Sequence, residues 1–254
     1  TKWRRPGAIG AWIAEMDFPL AEPVKRAIHD QIDTNDLGYL LPAGLPGLRE
    51  AVAGRLQSRY DYAVDTEDVA LLGTTGAGLN LSVRAFSQPG DEVMLLTPLY
   101  PPFRMAVESS GRVPVEVELS NGPDGYTIDF EAMERAVTSR TAMLMICNPH
   151  NPVGRVFTRE ELTGLADFAA RHDLTLVSDD LHSDLLYDGT HVPLASLDHE
   201  MRDRTVTLYG PTKAFNIPGL KISFAVSSNH DLLERMNAAG GGLATPPNVL
   251  AQAA

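Results

Sequence analysis

The sequence has one cysteine, Cys147, in 254 residues. A single thiol cannot close an internal disulfide, so a reducing compartment is the expectation. Cys147 ends an apolar run and reads as a packed core thiol. No run of about 18 apolar residues, the length needed to cross a bilayer, occurs anywhere. The opening TKWRRPGAIGAW has basic residues but lacks the apolar stretch of about 7–15 residues that marks a secretory leader. A cytoplasmic protein is therefore expected. Positive charge is also short: 21 Lys and Arg against 33 Asp and Glu leave a net charge of −12. A field of that sign repels phosphate backbones and argues against a nucleic-acid partner. There is no internal repeat and no low-complexity segment.

What is present suffices for a full hydrophobic core. Residues 1–43 are rich in proline, glycine and turn formers around one helical pattern, EPVKRAIHDQI (22–32). They read as an arm that packs on something else, and 44–254 as one large domain. In PGLREAVAGRLQSRY, Leu48, Val52 and Leu56 recur at helical spacing, with Pro46 near the first turn. DVALLGTTGAGLNLSVRAF then reads as strand, Gly-rich turn and helix. Further strands are expected at DEVMLL, VPVEVEL, TAMLMIC, LTLVS, TVTLYG and KISFAVSS, most of them separated by helical patterns such as REELTGLADFAARHD. Apolar strands alternating with helices of 10–15 residues mean βαβ units and a mostly parallel sheet covered on both faces.

Several of these strands end in residues suited to chemistry. TAMLMIC leads to Asn148, LTLVS to Asp179, and TVTLY to Lys213. The turn Gly73-Thr74-Thr75-Gly76-Ala77-Gly78 opens a helix, where small residues let backbone N–H groups meet an anion. Its spacing, G-x-x-G-x-G, departs from the dinucleotide pattern G-x-G-x-x-G. Asp179 could hold a protonated ring nitrogen; a helix cap is the plainer reading of such an acid. Asp179, Asp180, His182 and Asp184 could also be read as a metal cluster, but no second acidic or histidine cluster completes a shell. Tyr209 and Lys213 match Y-x-x-x-K, although Gly210 and Pro211 argue against the continuous helix such a pair needs. Asn148, Asn151 and Arg155 lie in a loop stiffened by Pro149 and Pro152. Its two amides are best explained by hydrogen bonds to a ligand.

Taken together, WIAEMDFP (12–19), LGYLLPAGLPGLREAV (37–52), TPLYPPF (97–103), NPHNPVGRVF (148–157), SDDLHSDL (178–185) and PTKAFNIPGLK (211–221) resemble the fold-type I pyridoxal phosphate enzymes, the aspartate aminotransferase superfamily. Within it the chain is most similar to the MalY/PatB-type cystathionine β-lyase branch. The resemblance implies an α/β fold: a three-layer αβα sandwich around a mostly parallel seven-stranded sheet. Relatives continue into a C-terminal small domain with an arginine for the substrate carboxylate, and that domain is expected to be missing from this chain.

The resemblance also assigns roles. Lys213 matches the lysine that carries the cofactor and then moves the Cα proton. Asp179 matches the acid on the pyridine nitrogen, Asn148 the amide on the ring hydroxyl, and Tyr100 the aromatic stacked on the ring. Gly76, Ala77 and Gly78 match the phosphate-cradling turn, and His182, Thr212 and Lys221 join the cofactor-binding set. Tyr39 matches a tyrosine that reaches the neighbouring subunit's cofactor, which implies a homodimer acting on a small amino acid. Two positions depart from the pattern. Gly210 stands where relatives often carry a phosphate-binding serine. Lys221 stands where many aminotransferases have arginine, keeping the charge without the bidentate fork. The expected activity is α,β-elimination from cystathionine or a related cysteine S-conjugate. The alternatives are an aminotransferase and, in another class, a regulatory protein that keeps the fold without turnover.

Overall fold

A computed structural model describes residues 6–40, 42–123, 125–242 and 245–254. The first five residues of the expected arm, Leu41 of the 37–52 string and residues 243–244 of the Gly-rich break lie outside the described residues. The arm carries α1 (Glu22–Asp33). The large domain then runs through α2 (Leu48–Tyr60), β1 (Val69–Leu72), α3 (Thr75–Phe86), β2 (Glu92–Thr97), α4 (Pro102–Ser109) and β3 (Val113–Glu118). A small hairpin follows, β4 (Ser120–Gly122) with β5 (Gly125–Thr127). Next come α5 (Phe130–Ala136), β6 (Thr141–Cys147), α6 (Arg159–Arg171), β7 (Thr175–Asp179), α7 (His199–Arg204) and β8 (Thr205–Tyr209). The chain closes with β9 (Ser223–Val226), α8 (His230–Ala239) and α9 (Val249–Ala253).

Seven strands form one sheet in the order β1-β9-β8-β7-β6-β2-β3. Only β9 runs against the rest, antiparallel to both β1 and β8. The 13 residues between β8 and β9 contain no α-helix to carry the chain back across the sheet, so the next strand returns in the opposite sense. The interior strand β6 is apolar on both faces because helices cover both. Met143, Met145 and Cys147 join one core cluster with α3, α4 and α8, while Leu144 and Ile146 join another with α5 and α6. A third cluster seats α2 and α9 through Val52, Leu56 and Ala251 against Phe224 and Val226. The expected three-layer αβα sandwich with a seven-stranded sheet is thus what forms. Strand β3 lies at the sheet edge, which is where its Pro114, lacking an N–H, is tolerated.

Helix starts follow the local chemistry. The Thr158 hydroxyl accepts from Glu161 N while Glu161 answers Thr158 N, a reciprocal cap on α6. Helix α2 begins at Leu48, two residues after Pro46: Gly47 caps it with φ 85°, a left-handed conformation that glycine adopts at little cost. The hairpin and α7 left no clear pattern in the sequence, being only three and six residues per element.

One close approach fixes how α3 sits on the sheet. A Cβ added at Gly78 would stand 2.7 Å from Leu208 Cδ2 and 3.0 Å from Leu72 Cδ1, both in the core. Gly78→Ala is expected to lower stability by about 1–3 kcal/mol through overpacking. Chemical denaturation of the cofactor-free protein checks this, and an unchanged midpoint would show that α3 can move away freely.

Candidate active site

Because β1, β2, β6, β7 and β8 all point the same way, their C-terminal ends share one edge of the sheet. A ligand crevice is expected at such an edge in open α/β sheets. A cavity of about 640 Å³ lies there, with Asp179 from the end of β7, Tyr100 after β2 and Lys213 after β8 in its walls. The start of α3 contributes Thr74, Thr75 and Gly76, and the arm contributes Trp12, Ile13 and Ala14. Thr212, His182, Lys221, Cys147 and Asn151 also line it.

Asp179 is buried, and its carboxylate accepts a hydrogen bond from Leu181 N at 3.1 Å. It forms no ion pair among the described residues. Burial pushes its pKa up to about 7, helped by Asp180 and opposed by the Leu181 N–H and by Lys213. The Lys213 amine donates to Ala14 O at 3.1 Å. Burial holds its pKa below the usual lysine value, while Glu15 and Asp179 pull the other way. His182 is also held down, by burial and then by Lys213, so it stays a neutral imidazole at pH 7. The Cys147 thiol donates to Pro149 O, and burial raises its pKa well above normal, so it remains an unreactive thiol.

Helix α3 presents its N-terminus to the cavity. The Thr74 hydroxyl caps Ala77 N at 3.1 Å, which leaves the first-turn N–H groups of Thr75 and Gly76 without intrahelical partners. Gly76 lines the cavity, while Ala77 lines an adjoining groove of about 410 Å³ that shares Thr74 and Lys221. Gly78 lies elsewhere. It serves helix–sheet packing against Leu208, not the cradle that its place in the turn suggests.

The two loop amides are also arranged otherwise than the resemblance implies. Asn148 is buried away from the cavity, where its side-chain Oδ1 accepts from Phe157 N at 3.0 Å and its backbone N–H donates to Asp179 O at 3.0 Å. Asn151, not Asn148, lines the cavity. The string N-P-H-N-P offers two amides three residues apart, and only the fold of the loop decides which one faces in. Between them, the buried His150 ring has Nε2 at 2.8 Å from Pro98 O and Nδ1 at 3.2 Å from Cys147 O. It braces the Tyr100 loop against the end of β6. Arg155 is committed to Glu161 by two bonds of 2.7 and 3.0 Å.

The remaining candidates separate cleanly. Asp180 is held by Ser178 and by His191 Nε2 at 2.8 Å. Asp184 accepts from Arg55, Tyr60 and Tyr209. The carboxylates of the 179–184 stretch therefore face different partners. Tyr209 ends β8 with its hydroxyl on Asp184, and residues 210–217 form turns without a helix, so the Y-x-x-x-K match has no structural content. A Cβ at Gly210 would lie 3.2 Å from Ile222 O and Ser223 Cα. The chain at the start of β9 crowds the place where a serine side chain would stand. Tyr39 is fully exposed on the arm and does not line the cavity.

The aminotransferase class I and II family model matches residues 13–254. Cystathionine beta-lyase PatB of Bacillus subtilis is 37% identical over 231 residues, which is 87% of this chain and 59% of that protein. The aspartate/prephenate aminotransferase of Thermus thermophilus is 34% identical over 252 residues, 98% of this chain and 64% of that one. The crystal structure of cystalysin from Treponema denticola, which contains a pyridoxal 5′-phosphate cofactor, aligns with a TM-score of 0.90 at 31% identity. It covers 94% of this chain and 61% of that one. The chain thus spans 59–64% of the length of these relatives. Matched over residues 13–254 and 37% identical to the Bacillus lyase over 231 residues, the chain belongs to the class I and II aminotransferase family of fold-type I pyridoxal phosphate enzymes.

Proposed function

We propose that the cavity binds pyridoxal phosphate and that the whole protein is a carbon–sulfur β-lyase acting on cystathionine or a related cysteine S-conjugate. Water is consumed, and pyruvate, ammonia and a thiol are released. The observation that carries this reading is the single cavity shared by the Lys213 amine, the buried Asp179 carboxylate and the N-terminus of α3. A buried acid without an ion pair is matched by a protonated ring nitrogen. The N–H groups of Thr75 and Gly76 suit a phosphate, with Thr212 and Lys221 on the same wall. Tyr100, half exposed, and Asn151 both line the cavity; Tyr100 would cover a ring face and Asn151 would meet a ring oxygen.

Pyridoxal phosphate, when bound, supplies an electron sink for the pair left on the substrate Cα. The side chains do the rest. Lys213 removes the Cα proton, and its lowered pKa increases the share of free amine near neutral pH. Asp179 keeps the ring nitrogen protonated. His182, being neutral, adds no charge that would compete with the Lys213 proton.

Departure of a β-thiolate is favoured as the next event by two relatives named as cystathionine beta-lyases, from Bacillus subtilis and Corynebacterium glutamicum. An aminotransferase is the second reading, supported by the Thermus relative that matches 98% of this chain. Both share the first proton removal. The arm further supports a homodimer, since Ile9, Phe18 and Tyr39 are exposed on it and Tyr39 is free to reach a neighbour's cavity.

Pyruvate release from L-cystathionine by the full-length protein, without an oxoacid acceptor, tests the reading. Steady release is expected. No release, together with conversion of the bound cofactor to its amine form by glutamate or alanine, would replace the lyase by an aminotransferase.

A further inference from the structure

The wall made by Trp12, Ile13 and Ala14 comes from the far end of the chain, and one side chain reaches about 200 positions to hold it. Met16 N donates to Asn216 Oδ1 at 2.8 Å, and Asn216 Nδ2 donates to Met16 O at 2.8 Å. A third, longer contact runs from Nδ2 to Phe18 O at 3.4 Å. The first two form a reciprocal pair like that between facing residues of an antiparallel ladder, with the side-chain amide replacing one strand. Only a primary amide carries the donor and acceptor this needs; aspartate would set an oxygen against Met16 O.

Asn216 belongs to the turn that carries Lys213. Its N–H donates to Lys213 O at 3.3 Å, and Ile217 N donates to Thr212 O at 3.0 Å. Its φ is 56°, a left-handed conformation rare for residues other than glycine and best tolerated by asparagine and aspartate. Such a conformation persists only where the surroundings hold it. Two residues before Met16, Ala14 O accepts from the Lys213 amine at 3.1 Å. The lysine turn therefore grips the arm at two points, and the arm offers Trp12 and Ile13 to the cavity between them and solvent.

We infer that Asn216 is a positioning residue that registers the arm on the lysine turn, so that Trp12 and Ile13 form the wall that selects the substrate's sulfur substituent. The clamp itself stands on geometry alone; the selectivity rests on the lyase reading. Losing two hydrogen bonds between neutral groups should weaken arm docking on the order of tenfold to thirtyfold.

The test uses Asn216→Gly, which removes the amide without a left-handed penalty, and Asn216→Asp, which keeps size and backbone preference but loses the donor. A glutamate-specific protease is applied to cofactor-free protein, and cleavage after Glu15 is compared with cleavage after the buried Glu92, which reports global unfolding. The Glu15-to-Glu92 ratio should rise about tenfold or more in both variants; an unchanged ratio overturns the clamp. For the holoenzyme, kcat/KM for L-cystathionine relative to S-methyl-L-cysteine should move toward one by at least about fivefold, mainly through KM. A raised cleavage ratio with unaltered substrate preference would overturn the selecting wall. If wild-type protein turns over neither substrate while the cleavage result holds, the lyase reading fails and the clamp stands.

Discussion

Replacing Lys213 by alanine is expected to lower turnover on the order of 10⁴-fold, because the same amine must carry the cofactor and move the Cα proton. The amine sits half-buried, holds Ala14 O and has its pKa lowered by burial. No other lysine among the cavity's lining residues follows a strand end so closely: Lys221 lies beyond the turn, between the cavity and the adjoining groove. The measurement is pyruvate formation by the holoenzyme, with and without a small primary amine in solution. Partial recovery with added amine would identify the lost function as proton transfer. A variant within about tenfold of the wild-type rate would remove Lys213 from the chemistry, since a general base alone is worth about 10²–10⁴. Its folding should be unaffected, as the side chain fills no core position.

Asp179→Asn is expected to separate activity from stability. Activity should fall on the order of 10³-fold, because asparagine cannot hold a ring nitrogen in its protonated state and breaking a buried charge pair typically costs about 3–5 kcal/mol. The cofactor-free protein should behave in the opposite sense. In wild type the Asp179 carboxyl has a folded pKa of about 7 against an ordinary value of 3.8. An acid whose pKa is raised by folding contributes stability that is fully present below about pH 4 and is lost as pH rises through 7. At about 1.4 kcal/mol per pH unit the loss is on the order of 4 kcal/mol at most. Asparagine has no charge to bury, so the variant should be the more stable of the two at pH 8, with the difference fading toward pH 4. Denaturant titrations of both cofactor-free proteins from pH 4 to 8 decide it. Parallel stability curves would show that the empty site does not disfavour the carboxylate. Bound cofactor should erase the difference in wild type by supplying the missing positive charge.

Much of this site is legible in the amino-acid sequence. Parallel strands end on one edge, so the βαβ pattern obliges Asp179 after LTLVS and Lys213 after TVTLY to approach one another. Tyr100, Gly76, His182 and Thr212, each shortly after a parallel strand, reach the same cavity for that reason, whereas Lys221 reaches it because the antiparallel β9 starts at that edge. Asn148 and Gly78 do not. In both cases a local string offers two equivalent residues, Asn148 or Asn151 and Gly76 or Gly78, and spacing along the chain has no means of ranking them. The difference is which way a loop or a helix turn faces, and that is settled by Phe157 N in one case and by Leu208 in the other.

The sequence by itself determined the layer order, the sheet's mostly parallel character and the acid and amine at its edge, because each is written in a short-range period or at a strand end. Tertiary structure alone decided the direction of β9, the inward amide, the crowding of Gly210 by β9 and the docking of the arm through Asn216. Those features depend on contacts between residues as many as 200 positions apart, and such contacts leave no period in the chain. They exist only once the core has brought the two surfaces together.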